Sequence, residues 1–246
     1  MITDPCISFS TEGIKFNPCD FFIDPRKPVK NAVITHAHAD HVTKDSRKIF
    51  CTPATAGLIM HRYKKSINAD FVLHDYNEPF EFNNAIITFL GSGHMLGSAQ
   101  VLVEYNSKKY LFTGDFKLQH DETCIPYEYV KCDVLIIEST FANPEIIHPD
   151  PVQEILKLND ITQQRIVLGS YVLGKAQRIT QKIKKNCPGK IILTHHEITG
   201  FHKVYQQYKV ELNNWIPYSR STFKHTVNSV YLVPPVTYKY YYRQPG

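Results

Sequence analysis

Thr35-His36-Ala37-His38-Ala39-Asp40-His41 decides how the rest of the chain reads. It comes directly after the apolar run Ala32-Val33-Ile34, so a strand ending in a tight loop would deliver these side chains into one pocket. His36 and His38 alternate with alanines. Both can therefore face one side, and the small residues leave room for an ion. Imidazole suits Zn, Fe or Ni, and a carboxylate beside it suits a hard or borderline divalent cation. The bland alternative is a polar loop that happens to be rich in His. Single His residues are common, but this spacing is not.

Two later stretches belong with it. In Gly91-Ser92-Gly93-His94-Met95-Leu96-Gly97-Ser98, His94 comes after a strand candidate and sits among glycines that let the backbone turn sharply. In Phe112-Thr113-Gly114-Asp115-Phe116, Asp115 ends a strand and comes after a glycine. Taken singly, His94 reads as an ordinary surface or core histidine and Asp115 as a turn aspartate. A carboxylate at Asp115 can also bridge two cations through its two oxygens.

The pattern His36-x-His38-x-Asp40-His41, with His94 and Asp115 further along, resembles that of the metallo-β-lactamase fold hydrolases. The resemblance implies a site for two divalent metal ions, Zn or Mn. His36, His38, His94 and Asp115 would hold the first, and Asp40, His41 and the shared Asp115 the second. Such a pair lowers the pKa of a bridging water and stabilises developing negative charge. These motifs point to a hydrolase without choosing its substrate, since lactonases, glyoxalase-type thioesterases and nucleases share them.

The chain beyond Asp115 narrows the choice. Leu135-Ile136-Ile137-Glu138-Ser139-Thr140-Phe141 resembles motif A of the β-CASP nucleases, an acid at a strand end. Gly174-Lys175-Ala176-Gln177-Arg178 resembles a helix start of their inserted domain, and Ile191-Ile192-Leu193-Thr194-His195 their motif B. Within that group the chain is similar to the ligase-associated DNA damage response exonucleases of bacteria, from about Asp20 to Pro235. The resemblance implies a metal-dependent phosphodiesterase, a DNA exonuclease in DNA repair, working beside an ATP-dependent DNA ligase and a helicase. Asp40, Glu138 and His195 are then the catalytic candidates, the last two orienting or protonating the scissile phosphate. Lys175, Lys182 and Lys185 are the nucleic-acid-binding candidates, although a solvated helix face explains such a lysine run equally well. Two other readings stay open: an RNA-processing β-CASP nuclease, and an inactive subunit that binds nucleic acid or a partner.

The β-CASP pattern also carries a motif C position and a last metal-ligand His beyond the insertion. After Val233 this chain has Pro234 to Gly246 without a His, and His225 lies too early. The resemblance therefore implies a C-terminal truncation and a weak second metal site.

Composition agrees with a globular α/β protein. Of 246 residues, 43% are hydrophobic and 21% charged, and the formal net charge of +5 suits an anionic polymer partner. The six cysteines contain no Cys-x-x-Cys pair, and neither a signal peptide nor a membrane-spanning run is legible, so a reducing cytoplasm is expected. Strand-like stretches dominate up to about Pro144. Asp133 to Glu138, around the apolar run Val134 to Ile137, reads as a strand buried on both faces, and the turn Asn106-Ser107-Lys108 as the end of a hairpin that resumes at Lys109. From Pro149 helices alternate with strands: helices at Val152–Leu158, Lys175–Lys185 and Phe201–Val210, strands at Arg165–Ser170, Lys190–His195 and Val227–Val233. The expected architecture is a metallo-β-lactamase-like αββα sandwich over 1–143, with a partial β-CASP α/β insertion over 144–246.

Overall fold

The computed structural model describes residues 4–242, and the chain divides into two compact units, Met1–Thr140 and Phe141–Gly246. In the first, two sheets bury their apolar faces against each other. One sheet runs in the order β1 (Ile7–Ser10), β2 (Gly13–Phe16), β3 (Phe21–Ile23), β4 (Asn31–Val33), β5 (Lys48–Cys51), β6 (Asp70–Leu73). Its first three strands are antiparallel, and β3 to β6 run parallel. The parallel strands need crossovers, and α1 (Pro53–Tyr63) supplies the one between β5 and β6. Pro53 sits in the first turn of α1, where its missing N–H costs nothing, and the Thr52 hydroxyl caps the helix by accepting from the Thr55 N–H.

The second sheet contains β7 (Phe80–Phe82), β8 (Ala85–Gly91), β9 (Ala99–Tyr105), β10 (Lys108–Phe112) and β11 (Val134–Ile136), with β11 added parallel to β10. Phe16, Phe21 and Phe50 from the first sheet pack with Phe89, Val101 and Phe112 from the second in one core. Both hairpins of this sheet turn on two residues with positive φ, Asn83 (47°) with Asn84 (68°) and Asn106 (48°) with Ser107 (63°). That is the backbone whose twist suits a hairpin. The turn is thus shorter than the sequence suggests, and Lys108 already opens β10.

One expectation fails here. Val134 to Ile137 is not buried on both faces: Leu135 is 50% and Ile137 52% exposed. The reason is position, since β11 is an edge strand with β10 on one side only. An apolar run signals burial but cannot say whether a strand lies inside a sheet or at its rim.

The second unit holds a wholly parallel sheet in the order β12 (Arg165–Gly169), β15 (Ser229–Val233), β13 (Ile191–Thr194), β14 (Trp215–Pro217). Its helices are α2 (Pro151–Leu156), α3 (Lys175–Asn186), α4 (His196–Gln207), α5 (Arg220–His225) and α6 (Pro235–Tyr242). Ile155, Ala176 and Ile183 from helices meet Ile192, Val230 and Leu232 from the sheet in a separate core. Helix α4 begins at His196, five residues before the expected Phe201, because His195 caps it and Glu197 lies in its first turn. The sequence reading passes over β5, β14, α5 and α6, which are short and lack a clear periodic pattern.

Candidate metal centre

The centre is built from loops that leave the strands of the first unit. After β4, the chain from Ile34 to Ala37 is fully buried, and His36 has no exposed surface. Thr35 fixes its tautomer. The Thr35 hydroxyl donates to Asp24 Oδ2 at 2.6 Å, so its oxygen is left to accept from His36 Nδ1 at 3.0 Å. The lone pair of His36 therefore lies on Nε2. That nitrogen faces His38 Nδ1 at 2.9 Å, and His38 Nδ1 in turn lies 3.3 Å from His94 Nε2.

Asp115 reaches this group from the loop after β10. Its Oδ2 lies 3.7 Å from His36 Nε2 and 3.7 Å from His94 Nε2, while its Oδ1 lies 3.6 Å from His41 Nε2. One carboxylate thus presents one oxygen to each of two imidazole groups. The ligand atoms of His36, His38, His94 and Asp115 all lie within 4.8 Å of one another, as do those of Asp24, His36 and His41. Gly114 makes the approach possible. It has φ +52°, and a Cβ there would sit 2.6 Å from Thr35 Cβ.

Asp24 is the residue that sequence reasoning misses. It stands at the end of β3 and accepts from the Thr35 N–H at 2.8 Å, from the Thr35 hydroxyl, and from His41 Nδ1 at 2.8 Å. It thereby orients both His36, through Thr35, and His41 directly. Carboxylates in this role fix the ring and raise the basicity of a ligating imidazole. Its signal in the sequence is faint: an acid closing the apolar run Phe21-Phe22-Ile23 and standing before Pro25.

The electrostatics suit a cation. Burial, and then the neighbouring His41, His38 and His94, hold His36 well below the usual histidine range. Burial, with His38 and Lys117 next, pushes His94 down to about 3. His41 goes the other way. Burial opposes its charge, but the hydrogen bond and charge of Asp24, with Asp115 and Asp40, raise it to about 9. Burial also raises Asp115, helped by Glu138, Asp24 and Asp40 and opposed by His41. Neutral imidazoles whose ring nitrogens converge beside a carboxylate form a donor set that fits a borderline divalent ion.

The other expected residues lie in several places. Asp40 is 83% exposed and its Oδ2 lies 3.8 Å from His41 Nε2, the nitrogen that also faces Asp115. Glu138 Oε2 accepts from the Thr140 N–H at 3.0 Å, and the Glu138 N–H donates to the Thr113 hydroxyl. His195 lies in the second unit, its ring tilted by 42° against that of His196, with Nδ1 accepting from the Glu197 N–H at 3.5 Å. Burial, then the charge of His196, lowers its pKa against the opposing pull of Glu197. Lys175, Lys182 and Lys185 all lie on α3, and the Lys175 ammonium sits 6.0 Å from the Tyr171 ring centroid.

The His94 loop has its own anchor. Lys117 Nζ donates to the His94 carbonyl and to Asp121 Oδ2, while Asp121 Oδ1 accepts from the Thr123 N–H and hydroxyl. Burial opposes ionisation of Asp121, but Lys117 and Thr123 outweigh it and its pKa falls below 3.8. A carboxyl lowered on folding contributes stability that is complete above its unfolded value and lost as pH falls through the folded one. Asp121→Asn should destabilise the protein by about 3 kcal/mol at pH 7, because it leaves the Lys117 charge buried without its partner. The gap between the urea midpoints of wild type and variant should narrow below the unfolded value of 3.8. A gap that stayed constant with pH would show that the pair contributes nothing through its charge.

Comparison with known proteins points the same way. The Beta-lactamase superfamily domain matches residues 1–169. A protein described as a probable DNA ligase from Opitutus terrae is 26% identical over 242 residues, which is 93% of this chain and 22% of that protein. An RNase J-like protein from Methanocaldococcus jannaschii is 29% identical over 180 residues, 62% of this chain and 43% of that one. The 5' exonuclease Apollo from Gallus gallus is 28% identical over 153 residues, 58% of this chain and 34% of Apollo. The chain therefore matches less than half the length of each of these relatives.

Proposed function

The chain belongs to the β-lactamase superfamily, in its metallo-β-lactamase and β-CASP nuclease branch, and from that premise we propose that it is a metal-dependent phosphodiesterase, a DNA exonuclease of DNA repair. The observation that carries this reading is Asp115, with one oxygen toward His36 and His94 and the other toward His41. That is the arrangement a two-ion hydrolytic centre requires. Divalent ions held there supply Lewis acidity toward phosphoryl oxygens and a nucleophile drawn from water at neutral pH.

The remaining work falls to the chain itself. Asp24 holds His41 and Thr35, and Thr35 holds His36, so two imidazoles present their Nε2 atoms in fixed directions. Asp115 ties the two halves together. Glu138 keeps the loop after β11 in place through the Thr140 N–H and adds negative charge near Asp115. We assign residues 144–246 to part of a β-CASP insertion. In it His195 would meet the scissile phosphate, and Lys175, Lys182 and Lys185, at spacings that keep them on one side of α3, would meet the flanking phosphates.

The ligase-named relative supports DNA as substrate and a DNA ligase as working partner, because the likeness runs through nearly all of this chain within a much longer protein. The helicase rests on family resemblance alone. The RNase J-like relative favours a second reading, an RNA-processing nuclease. A cytoplasmic setting suits six cysteines that are all reduced. No helix among the described residues is long and apolar enough to cross a membrane.

The test is competition between linear DNA and RNA of the same sequence, with a lactone and a glutathione thioester as controls. Release of nucleotides from DNA with no turnover of the controls is expected, and binding that weakens with added salt. Thioester turnover without nucleic-acid cleavage would overturn the reading. Zinc is the proposed ion, with manganese as substitute, at two positions of unequal strength. Three imidazoles and a carboxylate oxygen serve the first, whereas His41, Asp115 and the exposed Asp40 serve the second. Calorimetric titration of the metal-free protein with Zn should resolve a tight step and a weaker one. A single step of two equal sites would contradict that ranking.

A further inference from the structure

Directly after Asp115 begins a row of aromatic rings that has no part in either core. Phe116 lies 5.4 Å from Tyr127 between ring centroids, tilted by 48°, and Tyr127 lies 4.9 Å from Tyr129, edge to face at 72°. Tyr129, at the outer end, is 81% exposed. A single exposed tyrosine needs no explanation. Three rings in contact, running outward from the residue next to the bridging carboxylate, do.

The row is fastened to the centre. The Lys117 N–H donates to the Ser92 carbonyl, the Gly93 N–H to the Ile125 carbonyl, and the Glu128 N–H to the Gly91 carbonyl. Glu128 Oε1 accepts from the Gly91 N–H at 2.7 Å. The contact is so close that a Cβ on Gly93, which has φ +70°, would lie 2.1 Å from the Lys117 carbonyl oxygen. The segment carrying Tyr127 and Tyr129 is therefore bound to the loop that presents His94. Exposed Lys131 stands two residues after Tyr129, placing a cation on the same segment.

We propose that Phe116, Tyr127 and Tyr129 form a stacking platform for the unpaired bases of a single-stranded nucleic acid whose backbone enters the metal centre. The proposal rests on the nuclease reading and adds to it the form of the substrate. Tyr129 presents its ring to water with Tyr127 and Phe116 half-buried behind it, and such a ring suits bases, because every base has a π face and stacking tolerates any sequence. A paired duplex keeps its bases stacked on one another and offers no free face. Such a platform therefore selects single strands or frayed ends.

The experiment uses the whole chain in EDTA for binding and in Mn for cleavage. Probes are a fluorescent single-stranded oligonucleotide, the same oligonucleotide with abasic positions, and its blunt duplex. Wild type should bind the single strand better than the duplex. Tyr129→Ala should weaken single-strand binding about 5- to 150-fold, the range for loss of one base–aromatic stack, and Tyr129→Phe should restore it. The abasic strand should bind wild type at least as weakly as the intact strand binds Tyr129→Ala. Metal content and duplex binding should not change. Equal binding of intact and abasic strands, or a Tyr129→Ala protein that binds the single strand like wild type, overturns the platform. If wild type nevertheless cleaves nucleic acid in Mn, the nuclease reading survives that result. If wild type neither binds nor cleaves any probe, both fail.

Discussion

Asp115→Asn should empty both halves of the metal centre at once and lower phosphodiesterase activity about a thousandfold or more. The amide keeps the size of the side chain but loses the charge. It also offers only one acceptor where the carboxylate presents Oδ2 to His36 and His94 and Oδ1 to His41. Metal-based stabilisation of transition-state charge amounts to several kcal/mol, and a loss of about 4 kcal/mol is roughly a thousandfold in rate. Folding should not suffer. Burial and the charges of Glu138, Asp24 and Asp40 raise Asp115, with only His41 opposing, so a neutral side chain relieves repulsion in the metal-free protein. Elemental analysis of the purified variant, its activity on linear DNA and its urea midpoint together read this out. Retention of two ions, or activity within tenfold of wild type, would end the bridging assignment. A clear loss of metal-free stability would mean the carboxylate has a structural role as well.

Asp24→Ala should damage the centre too, by a smaller factor, although Asp24 is not among the four groups that define the first cluster. Its carboxylate accepts from the Thr35 N–H, the Thr35 hydroxyl and His41 Nδ1. Removing it frees the Thr35 hydroxyl to donate elsewhere, so His36 no longer has its tautomer fixed. His41 loses its orienting partner and the main source of its raised pKa. Loss of such an outer carboxylate weakens metal affinity about 10- to 100-fold. Thr35 is buried, and an orphaned N–H there costs about 1–3 kcal/mol of stability. Asp24→Asn, which keeps an acceptor, should fall between wild type and the alanine variant. Competition with a zinc-sensitive dye measures the affinity and urea denaturation the stability. An alanine variant that holds zinc as tightly as wild type would show that His36 and His41 are oriented by something else.

How much of this is legible in the sequence depends on the range of each signal. The cluster His36, His38, Asp40 and His41 announces itself because its members are neighbours in the chain. His94 and Asp115 are each commonplace alone, and only the family pattern joins them to it. Asp24 cannot be found that way: it acts from seventeen positions before His41, and nothing local distinguishes it from any acid before a proline. The β9–β10 hairpin is readable to within a residue, since Asn106 and Ser107 mark its turn and β10 opens one residue before the expected Lys109. The exposure of β11 is not, because composition reports hydrophobicity, whereas exposure depends on neighbours that only the assembled sheet reveals. The start of α4 escapes a reading that weighs His195 as a chemical group and not as a helix cap.

The order of strands in the second unit has a consequence for how the protein is made. β15 is the last strand among the described residues, yet it lies between β12 and β13. During synthesis, β12 has no sheet neighbour until Ser229–Val233 has emerged, some sixty residues later. β13 has only β14 to pair with in the meantime. The first unit has every strand of both its sheets by Ile136. It can close its core on the ribosome while the second waits with the apolar faces of α2, α3 and β13 uncovered. Long-range parallel pairing of this kind is slow, and the wait is the interval in which nascent chains associate wrongly or are held by chaperones. The yield of folded protein should therefore depend on how quickly the ribosome delivers one five-residue strand.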